Sequence, residues 1–583
     1  MADSIQRHAV PNLADASFPI DLSPMLGRVF MARGARCSDD IDLSMSSLLS
    51  PSLLMGIDAA VDLIIAAMES DARILIVGDF DADGATSCAL AIRAFEAMGH
   101  SDVRFIVPNR FEYGYGLTPE IVDLAKPQNP SLIITVDNGI SSVEGVAAAR
   151  AAGIDVLVTD HHLPGHQLPN ANVIVNPNQH GCEFPSKALA GVGVIFYVMS
   201  AVRAGLRKKQ WFNDTRKEPN MADFLDLVAL GTVADVVPLD KNNRILVEQG
   251  LRRIRVGKCS AGIRALIEVS GRSAAKLIAS DMGFALGPRL NAAGRLDDIS
   301  IGIACLLTND VAMAKDIATE LDSMNQDRRQ IEQGMQVQAE TALARLEQDK
   351  STELPIGMCL FNDEWHQGVV GILASRIKDL HQRPVICFAL ANDSEDCSEL
   401  KGSARSIKGF HIRDALDAVA AHNPGLIDKF GGHAMAAGLS LKKDKFADFS
   451  KAFDKEASRL LTEDDLQSCV MSDGALAPDE ISIDNATLIH YATPWGQLFP
   501  EPIFDNEFLV VQQRIVGSKH LKLVLGMDDG TGQIVDAIAF NIDIKAWPDE
   551  SVKKVRAAYR LDVNRFRGQE TVQLIIEHLE KVS

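Results

Sequence analysis

The chain of 583 residues is long enough to form several domains, each with a sizeable hydrophobic core. Its composition, 47% hydrophobic and 23% charged, is that of an ordinary globular protein, and no apolar stretch reaches membrane-spanning length. The 58 basic and 78 acidic residues give a formal net charge of −20, which argues against wholesale polycation binding to nucleic acid but leaves local basic patches open.

The cysteine pattern and the N-terminus indicate where the protein acts. The nine cysteines never form a CxxC pair, which argues against a zinc ribbon or a disulfide framework and favours a reducing compartment. The first residues are polar with mixed charges, unlike a signal peptide. We therefore expect a cytoplasmic protein without a membrane segment.

The first half of the chain predicts an α/β domain. Residues 1–46 are expected to form a loosely structured N-terminal arm. Over residues 47–312, short aliphatic runs alternate with alanine-rich helical stretches, a pattern typical of βαβ units and a doubly wound parallel sheet. Residues 313–348 lack proline and repeat apolar residues at helical spacing, so we expect a long helix between two lobes, with Gly334 as its weakest point.

The second half predicts two smaller domains. The βα pattern resumes over residues 349–455 and indicates a smaller α/β lobe. Residues 456–583 change character, because five short aliphatic runs are separated by turns with little helix between them. Such a pattern is typical of a small β-barrel. The expected fold class is therefore α/β, with a parallel-sheet domain, a long connecting helix, a smaller α/β domain and a C-terminal barrel.

Acidic residues follow the predicted strands of the first domain. Asp79, Asp81 and Asp83 come after the run 74–77, Asp137 follows 132–136, and Asp160, His161 and His162 follow 156–158. The carboxyl ends of parallel strands meet at one edge of a sheet, so these side chains should converge on one crevice. A further acid, Asp235, follows the apolar stretch 225–233. Each acid alone could be a turn or cap residue, and for Asp160 that reading stays open, but together they predict a functional site.

The ligand types indicate the chemistry of this site. Carboxylates with one or two imidazoles suit Mn²⁺ or Mg²⁺ better than an ion that prefers thiolates, and no cysteine occurs in these motifs. A carboxylate shared by two ions, for which Asp137 is our candidate, holds them roughly 3.5–4 Å apart and favours phosphoryl chemistry. We therefore expect metal-assisted hydrolysis of a phosphate ester.

Motifs spread over most of the chain resemble one known superfamily. Gly-Asp-Phe-Asp-Ala-Asp-Gly (78–84), Val-Asp-Asn-Gly (136–139), Asp-His-His (160–162) and Gly-Thr-Val-Ala-Asp (231–235) occur in this order. Together they resemble the DHH phosphoesterase superfamily. Residues 365–372, 402–406 and 431–438 are similar to its associated DHHA1 domain. Residues 284–295 narrow the resemblance to the RecJ family of single-strand-specific 5′→3′ DNA exonucleases, and the resemblance covers about residues 50–583.

The resemblance implies a set of metal ligands. One ion would be held by Asp81 and Asp137, and a second by Asp83, Asp137, His161 and Asp235. Asp83, Asp137 and His162 would be catalytic, with His162 facing the scissile phosphate. Many members of the superfamily have a histidine ligand where this chain has Val77, so the first site is short of one ligand. Asp79 or water would complete it.

Eight residues outside the metal centre are candidates for substrate binding. Guanidinium groups bind phosphates and aromatic rings stack on bases, so Arg110 and Tyr115 suit a single strand. For Arg289 and Asn291, a role near the cleft and a structural role both stay open. The resemblance implies that Ser403, Arg405 and His433 bind the substrate phosphate at the 5′ end, and that Gly432 lets the backbone approach it.

The predicted barrel resembles an oligonucleotide-binding (OB) fold and carries a run of basic residues. Between positions 553 and 567 a single acid, Asp562, stands against Lys553, Lys554, Arg556, Arg560, Arg565 and Arg567. Such a run is usually a solvated face. On a barrel of this class it predicts a groove that binds a single strand of nucleic acid.

The resemblance implies a single-stranded-DNA-specific 5′→3′ exonuclease that releases 5′-mononucleotides with two Mn²⁺ or Mg²⁺ ions and acts in DNA repair and recombination. One alternative is a small-substrate phosphatase or nano-RNA hydrolase of the same superfamily, against which the C-terminal barrel counts. Another is a non-catalytic DNA-binding scaffold, against which the retained metal ligands count. Besides single-stranded DNA, the expected partners are single-strand-binding protein and recombination helicases, and we expect a monomer.

Overall fold

The structure is a computed structural model. It describes residues 4–9, 13–108, 116–348, 354–391, 398–467, 469–517, 519–528, 532–542, 546–566 and 568–582. Three predicted site residues, Arg110, Tyr115 and Arg567, lie outside these ranges. Within the described ranges no single helix is both long and apolar enough to cross a membrane, and one pair bent by 82°, Met45–Leu53 with Ile57–Glu69, meets those criteria only when its two parts are combined.

The N-terminal residues pack against the C-terminal region. They form β1 (Ser4–Arg7), α1 (Pro24–Ala32) and α2 (Ser38–Ile41). β1 pairs in parallel with residues 469–472, and Phe30 of α1 stacks on Trp495 with ring centroids 6.1 Å apart. The expectation of a loosely structured arm is therefore wrong, because the apolar residues of this segment complete the core of the C-terminal region.

The first lobe is built around a parallel sheet covered by helices on both faces. Its elements are α3 (Ile57–Glu69), β2 (Ile74–Gly78), α4 (Ala82–Ala97), β3 (Val103–Ile106), α5 (Pro119–Ala125), β4 (Leu132–Val136), α6 (Val143–Ala151), β5 (Asp155–Thr159), β6 (Val173–Val175), α7 (Gly191–Lys208), α8 (Leu225–Ala234), α9 (Lys241–Arg255), α10 (Ala261–Val269), α11 (Ala279–Asp281), a π-helical turn (Met282–Leu286), α12 (Gly287–Leu296) and α13 (Ser300–Leu307). The strand order is β3-β2-β4-β5-β6, and every pair is parallel. The predicted parallel sheet is confirmed, and its strands are continuous aliphatic runs because both faces are buried.

The connecting helix α14 (Val311–Gln348) is continuous through Gly334. Ala318 and Leu321, near its start, belong to the buried core of the first lobe. Met335 and Ala339, further along, belong to a buried cluster of the second lobe. One helix therefore contributes to two cores and fixes the position of one lobe relative to the other.

The second lobe is a mixed sheet with helices. It comprises β7 (Met358–Phe361), α15 (Val370–His381), β8 (Val385–Leu390), β9 (Glu399–Arg405), α16 (Ile412–His422), β10 (Lys429–Gly432), β11 (Ala436–Lys442) and α17 (Phe446–Leu460). The strand order is β10-β11-β9-β8-β7. Only β7 and β8 pair in parallel, and the other neighbours are antiparallel.

The C-terminal region contains the predicted barrel. Its elements are β12 (Cys469–Ser472), α18 (Ile483–Ala492), β13 (Phe504–Val516), β14 (His520–Met527), β15 (Ile534–Ala539), β16 (Lys554–Phe566) and β17 (Gln569–Val582). The barrel closes in the order β13-β14-β15-β17-β16. Interior residues such as Phe504 and Tyr559 belong to the same buried cluster as the first lobe, so the barrel is packed against the core of the protein.

A buried ion pair between Arg33 and Asp473 joins the N-terminal segment to the C-terminal region. Arg33 Nη1 lies 2.8 Å from Asp473 Oδ1, and the two side chains are 5% and 2% exposed. Removing one partner of such a pair leaves the other charge buried without compensation. We expect Arg33→Ala to lower the free energy of unfolding by about 3–5 kcal/mol, measured by chemical denaturation.

Arg28→Ala is the matched control, because Arg28 and its partner Glu480 form a more exposed pair, with 28% and 22% of the side chains accessible. This variant should lose less than about 1 kcal/mol. Equal losses in the two variants would contradict the assigned role of the buried pair.

Candidate active site

The predicted acids lie at one edge of the first sheet. Asp79, Asp137 and Asp160 directly follow the carboxyl ends of β2, β4 and β5. Asp235 reaches the same place from another element, the C-terminal end of α8. The structure brings the side chains together in three overlapping groups, in each of which the possible ligand atoms lie within 4.8 Å of one another: Asp79, Asp81 and Asp137; Asp83, His161 and Asp235; Asp137, His161 and His162.

Two helix N-termini orient the acids of the first motif. Asp81 is the N-cap of α4, and its Oδ1 accepts the backbone N–H groups of Asp83 and Gly84 at 2.9 and 3.0 Å. The buried carboxylate of Asp83 accepts the N–H groups of Gly191 and Val192, at the start of α7, at 2.6 and 2.9 Å. Backbone donors therefore fix the orientation of both carboxylates.

Asp137 and His161 occupy the centre of the site. Asp137 has a φ of 62°, in the left-handed region, and Gly191 packs so closely that a Cβ there would lie 2.5 Å from Asp137 Cβ. His161 Nε2 lies 3.1 Å from Asp137 Oδ1 and 3.5 Å from Asp235 Oδ2. This buried nitrogen makes no hydrogen bond with any residue that the structure describes. An imidazole nitrogen placed in this way between two carboxylates is suited to ligate a cation.

Burial and mutual repulsion shift the ionisation of these groups. Burial, followed by the charge of Asp81, raises the pKa of Asp83 to about 7. Burial and the neighbouring carboxylates raise the pKa of Asp137 and of Asp235 well above the ordinary value for aspartate. Burial, followed by the nearby His162, lowers the pKa of His161 to about 4. A divalent cation would offset this repulsion, and oxygen donors with one or two imidazoles fit Mn²⁺ or Mg²⁺.

Asp160 orients His162. Its Oδ1 lies 2.7 Å from His162 Nδ1 and accepts the N–H groups of His161 and His162, while its Oδ2 accepts the N–H of Ile140 at 2.9 Å. Burial alone would raise the pKa of Asp160, but the bond to His162, the charges of the two histidines and the N–H of Ile140 together outweigh burial, and the pKa is lowered. Burial alone would lower the pKa of His162, but the bond to Asp160 together with the negative charges of Asp160, Asp79 and Asp81 outweighs burial, and the pKa is raised. Asp160 therefore has the structural role that the sequence left open.

The second lobe and Arg295 of the first lobe form a small cationic pocket. Gly294, next to Arg295, packs against the backbone of Phe80, between Asp79 and Asp81. The pocket has a volume of about 250 Å³, and its lining includes Arg295, Lys401, Ser403 and Arg405. Arg405 Nη1 donates to Ser403 Oγ at 3.1 Å, and Arg295, from α12 of the first lobe, donates to the carbonyl of Gly368 at 3.2 Å. Three cations near the start of α15 suit a phosphate group. We call this cavity the phosphate pocket.

His433 of the second lobe lies close enough to His161 and His162 for their charges to interact. Burial, followed by the positive charge of His162, lowers the pKa of His433. Gly432, beside it, has a φ of 144°, and a Cβ there would lie 2.4 Å from the carbonyl oxygen of Ala436. The hairpin of β10 and β11 therefore requires this glycine whether or not a phosphate binds.

The structure shows the contacts of the two α12 residues whose role the sequence left open. Arg289 forms an ion pair with Asp322 of α14, with Nη2 2.7 Å from Oδ1, and its side chain is buried. Asn291 Oδ1 accepts the N–H of Ala82 at 2.8 Å and holds the first turn of α4. Both therefore have structural contacts. Arg295 was missed, although its spacing of four residues from Asn291 places both on one helical face.

Four of the six basic residues predicted on the barrel pair with carboxylates in the structure. Strands and loops adjacent in space bring carboxylates to the basic residues: Lys554 pairs with Glu507 and Asp528, Arg556 with Asp505, Arg560 with Glu577, and Arg565 with Glu570. Lys553 is exposed and donates to the carbonyl of Glu550. The linear sequence overstated the charge because these partners lie outside the window 553–567.

Known protein families and relatives match this chain over most of its length. Residues 73–232 match the DHH family, N-terminal domain; residues 355–459 match the DHHA1 domain; residues 472–578 match the RecJ OB domain. The chain is 55% identical over 567 residues to the single-stranded-DNA-specific exonuclease RecJ of Dickeya dadantii, covering 97% of each chain.

Two solved structures of RecJ from Thermus thermophilus, one with Mn²⁺ and one with Mg²⁺, match the whole of this chain. The Mn²⁺ complex has a TM-score of 0.80 at 28% identity and is covered over 80% of its length. The Mg²⁺ complex has a TM-score of 0.75 at 27% identity and is covered over 79% of its length. Each of the two ions that the ligand types favour is therefore found in a protein of similar fold.

Asp137 belongs to two of the three ligand groups, so it should govern both the repulsion and the binding of ions. We expect Mn²⁺ to raise the unfolding temperature of the metal-free protein. At a Mn²⁺ concentration of a hundred times Kd, the free energy of unfolding should rise by about 2.7 kcal/mol. Asp137→Asn should unfold at a higher temperature than the parent chain in EDTA, because one repelling charge is gone. It should lose most of the gain from Mn²⁺.

Asp226→Asn is the control for this thermal-shift measurement, because Asp226 is a buried carboxylate of α8 outside the three groups. It should lower the unfolding temperature in both conditions and keep the full gain from Mn²⁺. A full gain in Asp137→Asn would contradict the central place of Asp137.

Proposed function

This chain belongs to the RecJ family of single-stranded-DNA-specific exonucleases, and we propose that it removes nucleotides from the 5′ end of a strand as 5′-mononucleotides. It is a metal-dependent nuclease that acts on single-stranded DNA. The observation that supports the polarity is the phosphate pocket, because its three cations, one of them Arg295 close to the first motif, can bind a terminal phosphate. An enzyme that reads the 5′ phosphate cuts at a fixed distance from that end.

The metal ligands are assigned to two ions on the strength of their grouping. Asp79, Asp81 and Asp137 would hold one ion, and Asp83, Asp137, His161 and Asp235 the other. Mn²⁺ or Mg²⁺ bound there lowers the pKa of water and stabilises negative charge on the phosphate and the leaving 3′ oxygen. The backbone donors at the starts of α4 and α7 keep Asp81 and Asp83 in place, so little reorganisation accompanies ion binding.

His162 is assigned to the scissile phosphate. Its Nδ1 is engaged by Asp160, so Nε2 is the atom that can reach the substrate. Because the pKa of His162 is raised, its imidazolium form persists to higher pH and can donate from Nε2 to a phosphate oxygen. Asp160 thus acts as a positioning residue that sets both the orientation and the charge of His162.

The remaining contacts follow the path of the strand. Arg295, Ser403 and Arg405 would bind the 5′ phosphate, and His433, which is near His162, would assist them. The barrel matches the RecJ OB domain, which supports a contact with the strand further from the 5′ end. Among its predicted basic residues, exposed Lys553 is the strongest candidate, because Lys554, Arg556, Arg560 and Arg565 already pair with carboxylates.

We extend the proposal to the cellular setting. A 5′ exonuclease of this family suits DNA repair and recombination, with single-strand-binding protein and recombination helicases as partners, and a monomer is sufficient because one chain supplies every residue of the site. The eight cysteines in the described ranges form no disulfide, which fits the proposed cytoplasmic location.

End-labelled strands test the polarity directly. With Mn²⁺, a 5′-labelled single strand should release its label as a mononucleotide from the first turnover, while a 3′-labelled strand should shorten progressively and keep its label until late. The reverse order of release would refute the proposal. Faster hydrolysis of a dinucleotide than of a long strand would instead favour a small-substrate hydrolase.

Arg405→Ala tests the phosphate pocket. Losing one charge-assisted hydrogen bond to a phosphate costs about 1.5–3 kcal/mol. We expect KM for a 5′-phosphorylated strand to rise roughly 10–100-fold, with a smaller change in kcat, and the preference over a 5′-hydroxyl strand to disappear. Lys451→Ala, an exposed cation of α17, is the control and should leave KM unchanged. An Arg405→Ala enzyme that still prefers the 5′ phosphate would remove this residue from the pocket's function.

A further inference from the structure

Two asparagines hold the backbone of the turn that carries His161 and His162. Asn176 directly follows β6, the strand that pairs with β5, and Asn178 lies two residues later. The amide nitrogen of Asn176 donates to the carbonyl of His162 at 2.9 Å, and that of Asn178 donates to the carbonyl of His161 at 2.5 Å. Each asparagine therefore holds one of the two histidines.

Other hydrogen bonds orient the two amide groups. Asn176 is fully buried, and its Oδ1 accepts the N–H of Asn178 at 2.7 Å, which leaves its nitrogen free for the histidine turn. The amide nitrogen of Asn178 also donates to the carbonyl of Lys187 at 3.1 Å. Lys187 Nζ in turn donates to the carbonyls of Pro177 and Cys182, both at 2.7 Å. These bonds join the two ends of the loop 176–187.

Asn178 connects the backbone of His161 to the segment that orients its ring. This segment, which begins at the second acceptor of Asn178, includes Leu189, and the imidazole of His161 makes a hydrogen bond with the backbone of Leu189. Since Nε2 makes none with a described residue, the bond belongs to Nδ1. Nε2 then faces Asp137 Oδ1 at 3.1 Å and Asp235 Oδ2 at 3.5 Å. A displaced Asn178 would therefore release both the backbone and the ring of His161.

Asn176 has the corresponding place beside His162. Asp160 Oδ1 accepts the N–H of His162 at 3.1 Å and lies 2.7 Å from its Nδ1. Asn176 holds the carbonyl of the same residue. The backbone of His162 is thus held at both its N–H and its carbonyl, and the ring keeps Nε2 for the substrate.

We propose that Asn176 and Asn178 are positioning residues, of which Asn178 aligns His161 for its ion and Asn176 aligns His162 for the scissile phosphate. The inference rests on the roles that the proposed function gives the two histidines. Residues that orient a metal ligand from behind typically change metal affinity or activity by roughly 10–100-fold when they are replaced. The two asparagines act on different histidines, so their replacement should change different quantities.

Asn178→Ala tests the alignment of His161. Calorimetric titration of the metal-free full-length chain with Mn²⁺ should show roughly tenfold weaker affinity for one ion, because the imidazole loses its fixed orientation. At saturating Mn²⁺, kcat should stay close to that of the parent chain. Asn178 is only partly buried, so this variant is expected to fold and decides the proposal even if the fully buried Asn176 does not tolerate replacement.

Asn176→Ala should give the opposite result. We expect Mn²⁺ affinity and KM for the strand to be unchanged and kcat to fall roughly tenfold, because His162 no longer faces the phosphate in a fixed orientation. Asn172→Ala is the matched control for both variants. Asn172 directly precedes β6, and it accepts the N–H of Val156 and donates to Asp155. Its replacement should leave Mn²⁺ affinity, KM and kcat unchanged.

His161→Ala separates this inference from the proposed function. If His161→Ala weakens Mn²⁺ binding while the two asparagine variants keep the parent affinity and kcat, the asparagines are only structural and the inference alone is overturned. Parallel losses of affinity and kcat in both asparagine variants would overturn it as well, because the proposed division between the histidines would be absent. Full Mn²⁺ affinity in His161→Ala would refute the proposed ligand set and, with it, the role of Asn178.

Discussion

The repulsion among buried carboxylates is the constraint around which the first lobe is arranged. Asp83 and Asp137 are almost fully buried within a few ångströms of other acids, and burial and repulsion raise the pKa of both. The fold offsets part of this cost with backbone dipoles, since the start of α7 donates to Asp83. The backbone dipoles do not satisfy the whole site. His161 Nε2, between Asp137 and Asp235, is buried and makes no hydrogen bond with a described residue. A cation completes the balance.

The same constraint explains why two lobes are joined by one rigid helix. Carboxylates that hold ions do not by themselves distinguish one end of a strand from the other, so the proposed function requires the phosphate pocket to stand at a fixed distance from them. Arg295 belongs to the first lobe yet donates to Gly368 of the second. α14 lies in both cores, and the Arg289–Asp322 ion pair fastens α12 to it. Bending of α14 would therefore move the phosphate pocket relative to the carboxylates that hold the ions.

Local patterns in the sequence predicted what is determined locally. The strands were recognisable because burial on both faces leaves runs such as 74–77, and α14 because it lacks proline. The packing of residues 1–46 could not be recognised in the sequence. It depends on contacts such as that of Phe30 with Trp495, which is far away along the chain and leaves no local pattern. The ion pairs of the barrel could not be predicted for the same reason, because Arg556 meets Asp505 across two paired strands. Arg295 was missed because its position depends on a contact between the two lobes, its hydrogen bond to Gly368.

The first motif combines a buried apolar residue with a nearby carboxylate that can bind an ion. The resemblance to the superfamily implies a histidine ligand at the position of Val77, but the side chain of Val77 is fully buried in an apolar cluster with Leu75 and Val158. An isopropyl group there stabilises the sheet but cannot bind an ion. Asp79, two residues later, lies within ligand distance of Asp81 and Asp137. Val77, which cannot bind an ion, and Asp79, which can, thus lie two residues apart at the end of β2. An ion held by Asp79, Asp81 and Asp137 would have an all-carboxylate donor set, which favours a harder ion than a histidine would.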